Sequence, residues 1–166
     1  FMAYTRNEED APKCWTNYPQ SHQDQTIVEG LSNSCNYFFY EMGYQLQMEK
    51  LNSYATQLGL GQKTGIELPN EKAGILAGPE SREARGGEKW YAADTLMAAI
   101  GQSDNQFTPI QISNYVATLL AGGTRYRVHI LDSVREFYTD KVISTARVET
   151  YTYVAPQEGA QSANEQ

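Results

Sequence analysis

Apolar side chains recur at helical spacing in several stretches of the chain. Ile27, Val28 and Leu31 fit one face of a short helix that is predicted to break around residues 32–34. A second helix is predicted to start at Ser34, because a hydroxyl or amide side chain there can cap the free N–H groups of the first turn. The apolar face of this second helix consists of Phe38, Phe39, Met42 and Leu46.

The second helix contains Gly43, which is unfavourable inside a helix and therefore predicts close packing at that position. After a short break, a third helical stripe follows and ends at Gly59-Leu60-Gly61, a typical C-cap sequence. The Gly- and Pro-rich residues beyond it are predicted as loop, with one short strand at Thr64–Leu68. The apolar residues of the third stripe are Leu51, Tyr54, Ala55 and Leu58.

The clearest local signal is the sequence Thr-Pro-Ile-Gln at 108–111. Thr108 is a good N-cap, Pro109 suits the first helical position, and Gln111 completes a capping box. A helix is therefore predicted from Pro109 to about Ala121, with the glycines at 122 and 123 ending it. The residues expected to face the core are Ile112, Tyr115, Val116, Leu119 and Leu120.

The last part of the chain favours β-structure. Residues 126–134 and 141–148 alternate as two strands joined by a turn near Tyr138–Asp140, which predicts a hairpin. The chain is predicted to be one domain without a linker. Within it we expect three regions: an irregular lead-in at 1–24, a helical region at 25–134, and a hairpin strand with a polar tail at 135–166. The final residues, 157–166, lack large apolar side chains and are expected to be mobile.

Composition narrows the class of protein. The chain has 166 residues, of which 40% are hydrophobic and 20% charged, as in a globular domain. A net charge of −7 without a cluster of Lys and Arg argues against nucleic acid or anionic lipid as a partner. No apolar run approaches the length of a membrane span, and the first residues lack the pattern of a signal peptide.

Cys14 and Cys35 are the only two cysteines. They are too few for a disulfide scaffold, and their spacing from histidine predicts no zinc site. A Cys14–Cys35 disulfide and a pair of free thiols both remain open. A Cys35 nucleophile would need His22 or His129 as a base, and both histidines lie in segments predicted as loop or strand.

The segment Ser34-Cys35-Asn36 is ambiguous by itself, because Ser and Asn are common at the starts of helices. It is followed by aromatic residues at 37–40, by Thr-Gly-Ile-Glu-Leu-Pro at 64–69, and by Ile-Gly-Gln at 100–102 ahead of the capped helix. In this order and spacing, the chain resembles the transpeptidase domain of penicillin-binding proteins, and most closely the monofunctional class B enzymes. The resemblance spans roughly residues 13–134.

The resemblance implies an α+β fold in which helices pack on an antiparallel sheet, here as a partial, mostly helical fragment with a C-terminal hairpin. It implies a serine acyltransferase that cross-links peptidoglycan stem peptides and is acylated by β-lactams. By the same resemblance, Ser34 relays a proton and the amide of Asn36 binds the substrate carbonyl. Trp90 lies where the family carries a Trp that can line the acyl-donor groove, but an aromatic residue that anchors a loop is the favoured interpretation.

Two family motifs are missing in usable form. The nucleophile motif Ser-x-x-Lys does not occur, and Lys63-Thr64-Gly65 lies far ahead of the place where the family carries its catalytic Lys-Thr-Gly. Lys63 is therefore given no catalytic role, and the isolated chain is expected to be inactive. No metal or organic cofactor is implied.

The resemblance also implies partners and a location for the longer parent protein. The fragment would pack with the rest of the transpeptidase domain, and the parent would act at the extracytoplasmic face of the bacterial membrane through an anchor outside this chain. Two alternatives from other classes are a penicillin-binding sensor without turnover and a non-catalytic interaction module.

Overall fold

The computed structural model describes residues 12–16, 22, 24–146 and 149–151. This part of the chain is rich in helices and has short antiparallel strands, which confirms the predicted α+β class. None of its helices is both long and apolar enough to cross a bilayer. The elements are α1 (Ile27–Ser32), α2 (Asn36–Gln57), α3 (Pro79–Glu83), α4 (Ala92–Ala99), α5 (Pro109–Leu120), β1 (Arg125–Tyr126), β2 (Ser133–Arg135), β3 (Val142–Thr145) and β4 (Thr150–Tyr151).

The chain forms two compact units. The first comprises Phe1–Tyr54 and Leu76–Gln106, and the second comprises Ala55–Ile75 and Phe107–Gln166. The first unit therefore contains α1, α3, α4 and most of α2, whereas the second contains α5 and the strands.

The first unit has a small apolar core between α2 and α4. Met48, Ala77 and Ala98 are buried together, and Leu51 and Trp90 pack against them. The two helices also approach each other closely at Gly43, where an added Cβ would lie 2.3 Å from the Cβ of Ala99. The prediction that Gly43 marks close packing is confirmed.

Helix α1 forms where it was predicted. Thr26 caps it, and the carboxylate of Glu29 accepts a hydrogen bond from the Thr26 N–H at 2.8 Å, which completes a capping box. Its apolar residues Ile27, Val28 and Leu31 are all exposed among the described residues. The hydrophobic pattern therefore predicted the position of the helix correctly, but the apolar face that it defines is exposed.

Helix α2 begins at Asn36, so the predicted start at Ser34 is wrong. The reason is the backbone of Ser34, whose φ of 51° places it in the left-handed region outside the helix. The break expected between the second and third helices is a single residue, Gln47, with φ 61° and ψ 164°. After it, α2 continues to Gln57, and Gly59 with φ 89° ends it as predicted.

The predicted strand at Thr64–Leu68 is wrong. Gly65 has a φ of 79°, and the carboxylate of Glu71 accepts hydrogen bonds from the N–H groups of Thr64 and Gly65. These donors are therefore satisfied by a side chain and need no neighbouring strand.

Two helices lie in the segment that was predicted as loop. Pro79 occupies the first turn of α3, where the missing N–H costs nothing. Helix α4 has four alanines, the residue that most favours helices, and it buries Thr95, Leu96 and Ala98.

In the second unit, α5 confirms the capping box predicted at 108–111. The side chain of Thr108 accepts a hydrogen bond from the Gln111 N–H, and the Gln111 side chain accepts one from the Thr108 N–H at 2.9 Å. The predicted core face is wrong. The buried side chains are Gln111 and Thr118, whereas Ile112, Val116, Leu119 and Leu120 are exposed.

Hydrogen bonds of two polar side chains explain why this face of α5 is the buried one. The side-chain amide of Gln111 donates to the carbonyl oxygens of Gln62 at 2.6 Å and Ala73 at 2.8 Å. The hydroxyl of Thr118 donates to the carbonyl of Asn114 at 2.7 Å. Because every buried polar atom needs a partner, these bonds allow a polar face to be the buried one.

The strands form two antiparallel pairs. β2 pairs with β3 with a bulge between Val134 and Arg135, which confirms the predicted hairpin. The first strand of this hairpin, β2, is shorter than the strand that was predicted at 126–134. The start of that segment instead forms β1, which pairs with β4 and packs against α5. The predicted mobility of the tail at 157–166 concerns residues outside the described part of the chain.

Candidate functional site

The turn between α1 and α2 presents the candidate serine. After Asn33 ends α1, the N–H of Ser34 donates to the carbonyl of Leu31 at 3.1 Å, and that of Cys35 donates to Gly30 at 2.8 Å. These two bonds close the end of the first helix and turn the chain directly into the second. Ser34 is exposed at the apex of this turn.

Aromatic packing stabilises this turn. Gly30 is buried, and a Cβ on it would lie 2.8 Å from the ring of Phe38, so the ring rests directly on the backbone of α1. Phe38 also meets Phe39 edge to face, with the ring centroids 5.3 Å apart. The contact between Gly30 and Phe38 fixes the angle at which the chain enters α2.

The three residues of the motif have different environments. Ser34 is exposed, Cys35 is 5% exposed, and Asn36 is half-buried as the first residue of α2. Ser34 and Asn36 lie two residues apart, at the end of this turn and the start of α2. The cap position of α2 is occupied by Cys35 rather than Ser34, because the carbonyl of Cys35 accepts the first helical hydrogen bond, from the N–H of Phe39 at 3.4 Å.

A cluster of sulfur and nitrogen atoms lies beside this turn. The sulfur of Cys14 is 3.7 Å from that of Cys35 and 3.5 Å from Nδ1 of His22. The two thiols are free, because a disulfide would require sulfurs about 2.05 Å apart. The sequence offered His22 as a base for Cys35, and the structure places it against Cys14.

The two thiols differ in acidity. Burial raises the pKa of Cys14, but hydrogen bonds from the backbone of Thr16 and Tyr37 and from Cys35 outweigh it and lower that pKa to about 6. Burial raises the pKa of Cys35, and the neighbouring Cys14 raises it further. The surroundings therefore favour the thiolate form of Cys14 more than that of Cys35.

This cluster fits a soft divalent cation. The three donor atoms of Cys14, His22 and Cys35 all lie within 4.8 Å of one another. Thiolates bind Zn²⁺ at about 2.3 Å with tetrahedral angles, which separates two such sulfurs by roughly 3.8 Å. The 3.7 Å between Cys14 and Cys35 matches this spacing. The three residues can hold zinc, with a fourth position left for another ligand.

The tripeptide Lys63-Thr64-Gly65 is part of a loop. Oε1 of Glu71 accepts hydrogen bonds from the Thr64 N–H at 2.6 Å and from the Thr64 hydroxyl at 2.7 Å, and Oε2 accepts one from the Gly65 N–H at 3.1 Å. All of these groups serve to close the loop.

Trp90 is held from two sides. The guanidinium of Arg82 covers its ring at 4.4 Å, and its indole N–H donates to the hydroxyl of Thr95 at 3.0 Å. The ring also packs on the core of the first unit. These contacts favour the interpretation of Trp90 as an anchor for its loop.

Two open cavities of about 370 and 360 Å³ lie in the first unit, and neither is lined by Ser34 or Asn36. The larger is lined by Arg82, Arg85, Gly87, Glu88 and Asp104. The smaller is lined by Met48, Glu49, Asn52, Leu76, Gly78, Pro79, Glu80 and Ser81.

Sequence reasoning missed both the thiol cluster and the arginine beside Trp90. Cys14, His22 and Cys35 are spaced unlike the common zinc motifs, so only the fold brings them together. Arg82 lay in a segment predicted as loop, where nothing in the local pattern indicated that its side chain is mostly covered.

Comparison with known proteins identifies the family of this chain. The family model described as "Penicillin binding protein transpeptidase domain" matches residues 3–162. Stage V sporulation protein D of Bacillus subtilis (strain 168) is 37% identical over 131 residues, covering 79% of this chain and 19% of that protein. Peptidoglycan D,D-transpeptidase MrdA of Escherichia coli (strain K12) is 31% identical over 115 residues, covering 69% and 18% respectively.

A solved structure supports the same likeness. The complex between Penicillin-Binding Protein (PBP2) and MreC from Helicobacter pylori matches with a TM-score of 0.59 and 29% sequence identity. The match covers 70% of this chain and 21% of that one. The chain spans about a fifth of the length of the relatives it matches.

Proposed function

This chain belongs to the penicillin-binding protein transpeptidase domain family, and from that premise we propose that it is the middle part of a peptidoglycan D,D-transpeptidase. The proposed reaction is serine acyl transfer, in which an upstream Ser attacks a stem peptide, releases its terminal residue and passes the acyl group to an amine. One observation supports the proposal most: the tight turn that presents Ser34 and Asn36 together. The family match runs through both compact units, so we assign both to one transpeptidase domain.

In this proposal, Ser34 transfers protons and Asn36 positions the substrate. A relay hydroxyl must be exposed and rigidly held within hydrogen-bond reach of the reacting groups. Ser34 is exposed, and the backbone bonds of its turn hold it at the apex, which supports this role. The half-buried Asn36 offers an amide with both a donor and an acceptor, which suits a peptide carbonyl. Trp90 contributes as an anchor of its segment.

In this proposal, the nucleophile and the catalytic Lys-Thr-Gly belong to parts of the parent protein that lie outside this chain. The parent protein then acts at the extracytoplasmic face of the bacterial membrane, on peptidoglycan stem peptides, and β-lactams acylate it. The match to relatives about five times longer supports this arrangement.

The first test concerns the chain by itself. Because Ser-x-x-Lys does not occur in it, we expect no covalent adduct when the chain is incubated with a penicillin. Intact-mass spectrometry would detect a gain equal to the mass of the antibiotic. Such a gain would refute the assignment of the nucleophile to another segment.

The second test uses the longer parent polypeptide. In that protein, replacing Ser34 should slow acylation by a fluorescent penicillin about 100-fold or more, which is typical for loss of a proton-transfer group. Ser34→Gly is preferred over Ser34→Ala, because glycine accepts the positive φ of this position without strain. Asn36→Ala should slow acylation about tenfold.

Ser32→Ala provides the matched control, since Ser32 is also exposed and ends α1 only two residues earlier. Its acylation rate should stay within about twofold of the unmodified protein. If Ser34→Gly and Ser32→Ala both retain the full rate, the motif is only a turn. The alternatives of a sensor or a non-catalytic interaction module would then be favoured.

A further inference from the structure

The peptide unit between Asn33 and Ser34 is held at both ends. Its N–H, on Ser34, donates to the carbonyl of Leu31 at 3.1 Å. Its carbonyl, on Asn33, accepts a hydrogen bond from the indole N–H of Trp15 at 3.3 Å. The first bond is local to the turn, whereas the second comes from a side chain 18 positions before Asn33. A tertiary contact thus reaches the backbone immediately before the candidate serine.

This peptide unit sets the unusual backbone conformation of Ser34. A peptide unit is planar, so its rotation changes ψ of the residue before it and φ of the residue after it together. Asn33 has a ψ of 0° and Ser34 a φ of 51°, which is unfavourable for a residue with a Cβ. Turning the unit over would relax Ser34 to a negative φ, but it would break the bonds at both ends. Residues in such conformations persist where the surrounding contacts over-determine them.

The segment that carries Trp15 contacts the turn at a second point. The ring of Trp15 meets that of His22 edge to face, with the centroids 5.5 Å apart and 71° between the planes. The preceding residue, Cys14, places its sulfur 3.7 Å from the sulfur of Cys35. The segment therefore contacts the residues on both sides of Ser34.

We propose that Trp15 is a positioning residue for Ser34. Its indole N–H keeps the preceding peptide unit in the orientation that places the hydroxyl of Ser34 for proton transfer. Because a proton relay must stay within hydrogen-bond reach of the reacting groups, a small rotation of the turn is enough to slow it. Trp15 itself touches no reacting atom. This inference rests on the proposed function, which gives Ser34 its part in acyl transfer.

The test is acylation of the longer parent polypeptide by a fluorescent penicillin, measured over a range of penicillin concentrations. Trp15→Phe keeps an aromatic ring and removes the N–H donor. We expect it to lower the maximal acylation rate about fivefold, as for loss of one hydrogen bond. The penicillin concentration that gives half the maximal rate should stay within about twofold, because the lost interaction acts on proton transfer and not on binding.

Tyr54→Phe is the matched control. It also removes one hydrogen-bonding group from an aromatic side chain of the first unit, at a ring that is 39% exposed near the end of α2. Its maximal acylation rate should stay within about twofold of the unmodified protein.

A double variant separates the positioning of Ser34 from a general loss of structure. Ser34→Gly removes the hydroxyl and accepts the positive φ without help from Trp15. Adding Trp15→Phe to Ser34→Gly should therefore leave the residual acylation rate unchanged. An equal slowing in both backgrounds would overturn the proposal, since a structural defect slows acylation whether or not the hydroxyl is present. A full rate in the single variant Trp15→Phe would overturn it as well.

A tryptophan analogue at position 15, with sulfur in place of the indole nitrogen, isolates the hydrogen bond. Its benzothiophene ring keeps the shape of indole, so the edge-to-face contact with His22 is retained. The analogue should slow acylation as much as Trp15→Phe does. A full rate with the analogue would show that ring packing is responsible, and it would overturn the role of the N–H.

These outcomes are distinguishable from those that test the proposed function. Slow acylation of Ser34→Gly with a full rate in Trp15→Phe would refute this inference alone. A full rate in Ser34→Gly would refute the role of Ser34 and this inference with it.

Discussion

The guanidinium of Arg82 lies over the ring of Trp90, with 4.4 Å between the guanidinium carbon and the ring centroid. The same group pairs with Asp94 at 3.0 Å and with Asp104 at 2.8 Å. These contacts raise the pKa of Arg82 and lower that of Asp104. One side chain of α3 thus joins the segment around Trp90, the first turn of α4 and the loop after it.

We expect Arg82→Lys to lower the free energy of unfolding by about 2 kcal/mol, although it keeps the charge. Lysine cannot reproduce the fork of donors or the flat stacking surface of a guanidinium, so one carboxylate would lose its partner. The measurement is urea unfolding followed by tryptophan emission. A Trp15→Phe background leaves Trp90 as the one remaining tryptophan.

Arg135→Lys is the control for this prediction. The Arg135–Asp140 pair is exposed, with 51% and 82% of the two side chains accessible, and its loss should change stability by less than about 0.5 kcal/mol. Equal effects of the two substitutions would show that the covered position of Arg82 does not matter.

A second prediction concerns the contact of α2 with α4. Glycine to alanine in a helix normally stabilises by up to about 1 kcal/mol, but at Gly43 the new Cβ would lie 2.3 Å from the Cβ of Ala99. Gly43→Ala should therefore destabilise the first unit, by about 1–3 kcal/mol. Thermal unfolding monitored by circular dichroism measures the sign.

A compensating variant tests the cause. Adding Ala99→Gly to Gly43→Ala removes the methyl group that is struck, so the double variant should recover most of the lost stability. The exposed Ser53→Ala in the same helix should change stability by no more than about 0.5 kcal/mol. If Gly43→Ala proves stabilising, the close approach of the helices is not a constraint.

The parts of the fold that the sequence predicted are those whose signal is local. The capping box at 108–111, the glycine stop after α2 and the hairpin each depend on residues a few positions apart. The turn containing Ser34 and Asn36 could be recognised in the same way, because its residues are adjacent.

The parts that could not be predicted depend on distant residues. Gln111 is buried because its amide reaches two carbonyl groups that are 49 and 38 positions away in sequence. Likewise, Cys14 meets Cys35 across 21 positions. Hydrophobic spacing describes which face of a helix is apolar, but it does not describe which polar atoms a tertiary contact satisfies.

A third prediction concerns pH. Burial raises the pKa of Glu71, but the hydrogen bonds from Thr64 and Gly65 outweigh it, and the pKa lies below its ordinary value of 4.5. A lowered folded pKa stabilises the protein fully above the unfolded pKa, and this contribution is lost as the pH falls through the folded pKa. Glu71→Gln should therefore cost about 1–2 kcal/mol at neutral pH and progressively less as the solution is acidified.

The measurement is urea unfolding of both proteins at several pH values between neutrality and the acid transition. Glu49→Gln, at an exposed position of α2, is the control and should show little cost at any pH. A cost of Glu71→Gln that stays constant in acid would contradict a role for the ionised carboxylate.

The last prediction concerns zinc at the cluster of Cys14, His22 and Cys35. With the thiols reduced, Zn²⁺ should stabilise the chain, by about 2.7 kcal/mol when its free concentration exceeds the dissociation constant a hundredfold. A chelator should reverse this effect. Co²⁺ should give a thiolate charge-transfer band.

Cys14→Ser should abolish both the stabilisation by Zn²⁺ and the Co²⁺ band. His129→Ala should keep both responses, because His129 is exposed and contacts the carbonyl of Leu131 instead. Equal stabilisation of the Cys14→Ser variant would locate any zinc binding elsewhere in the chain.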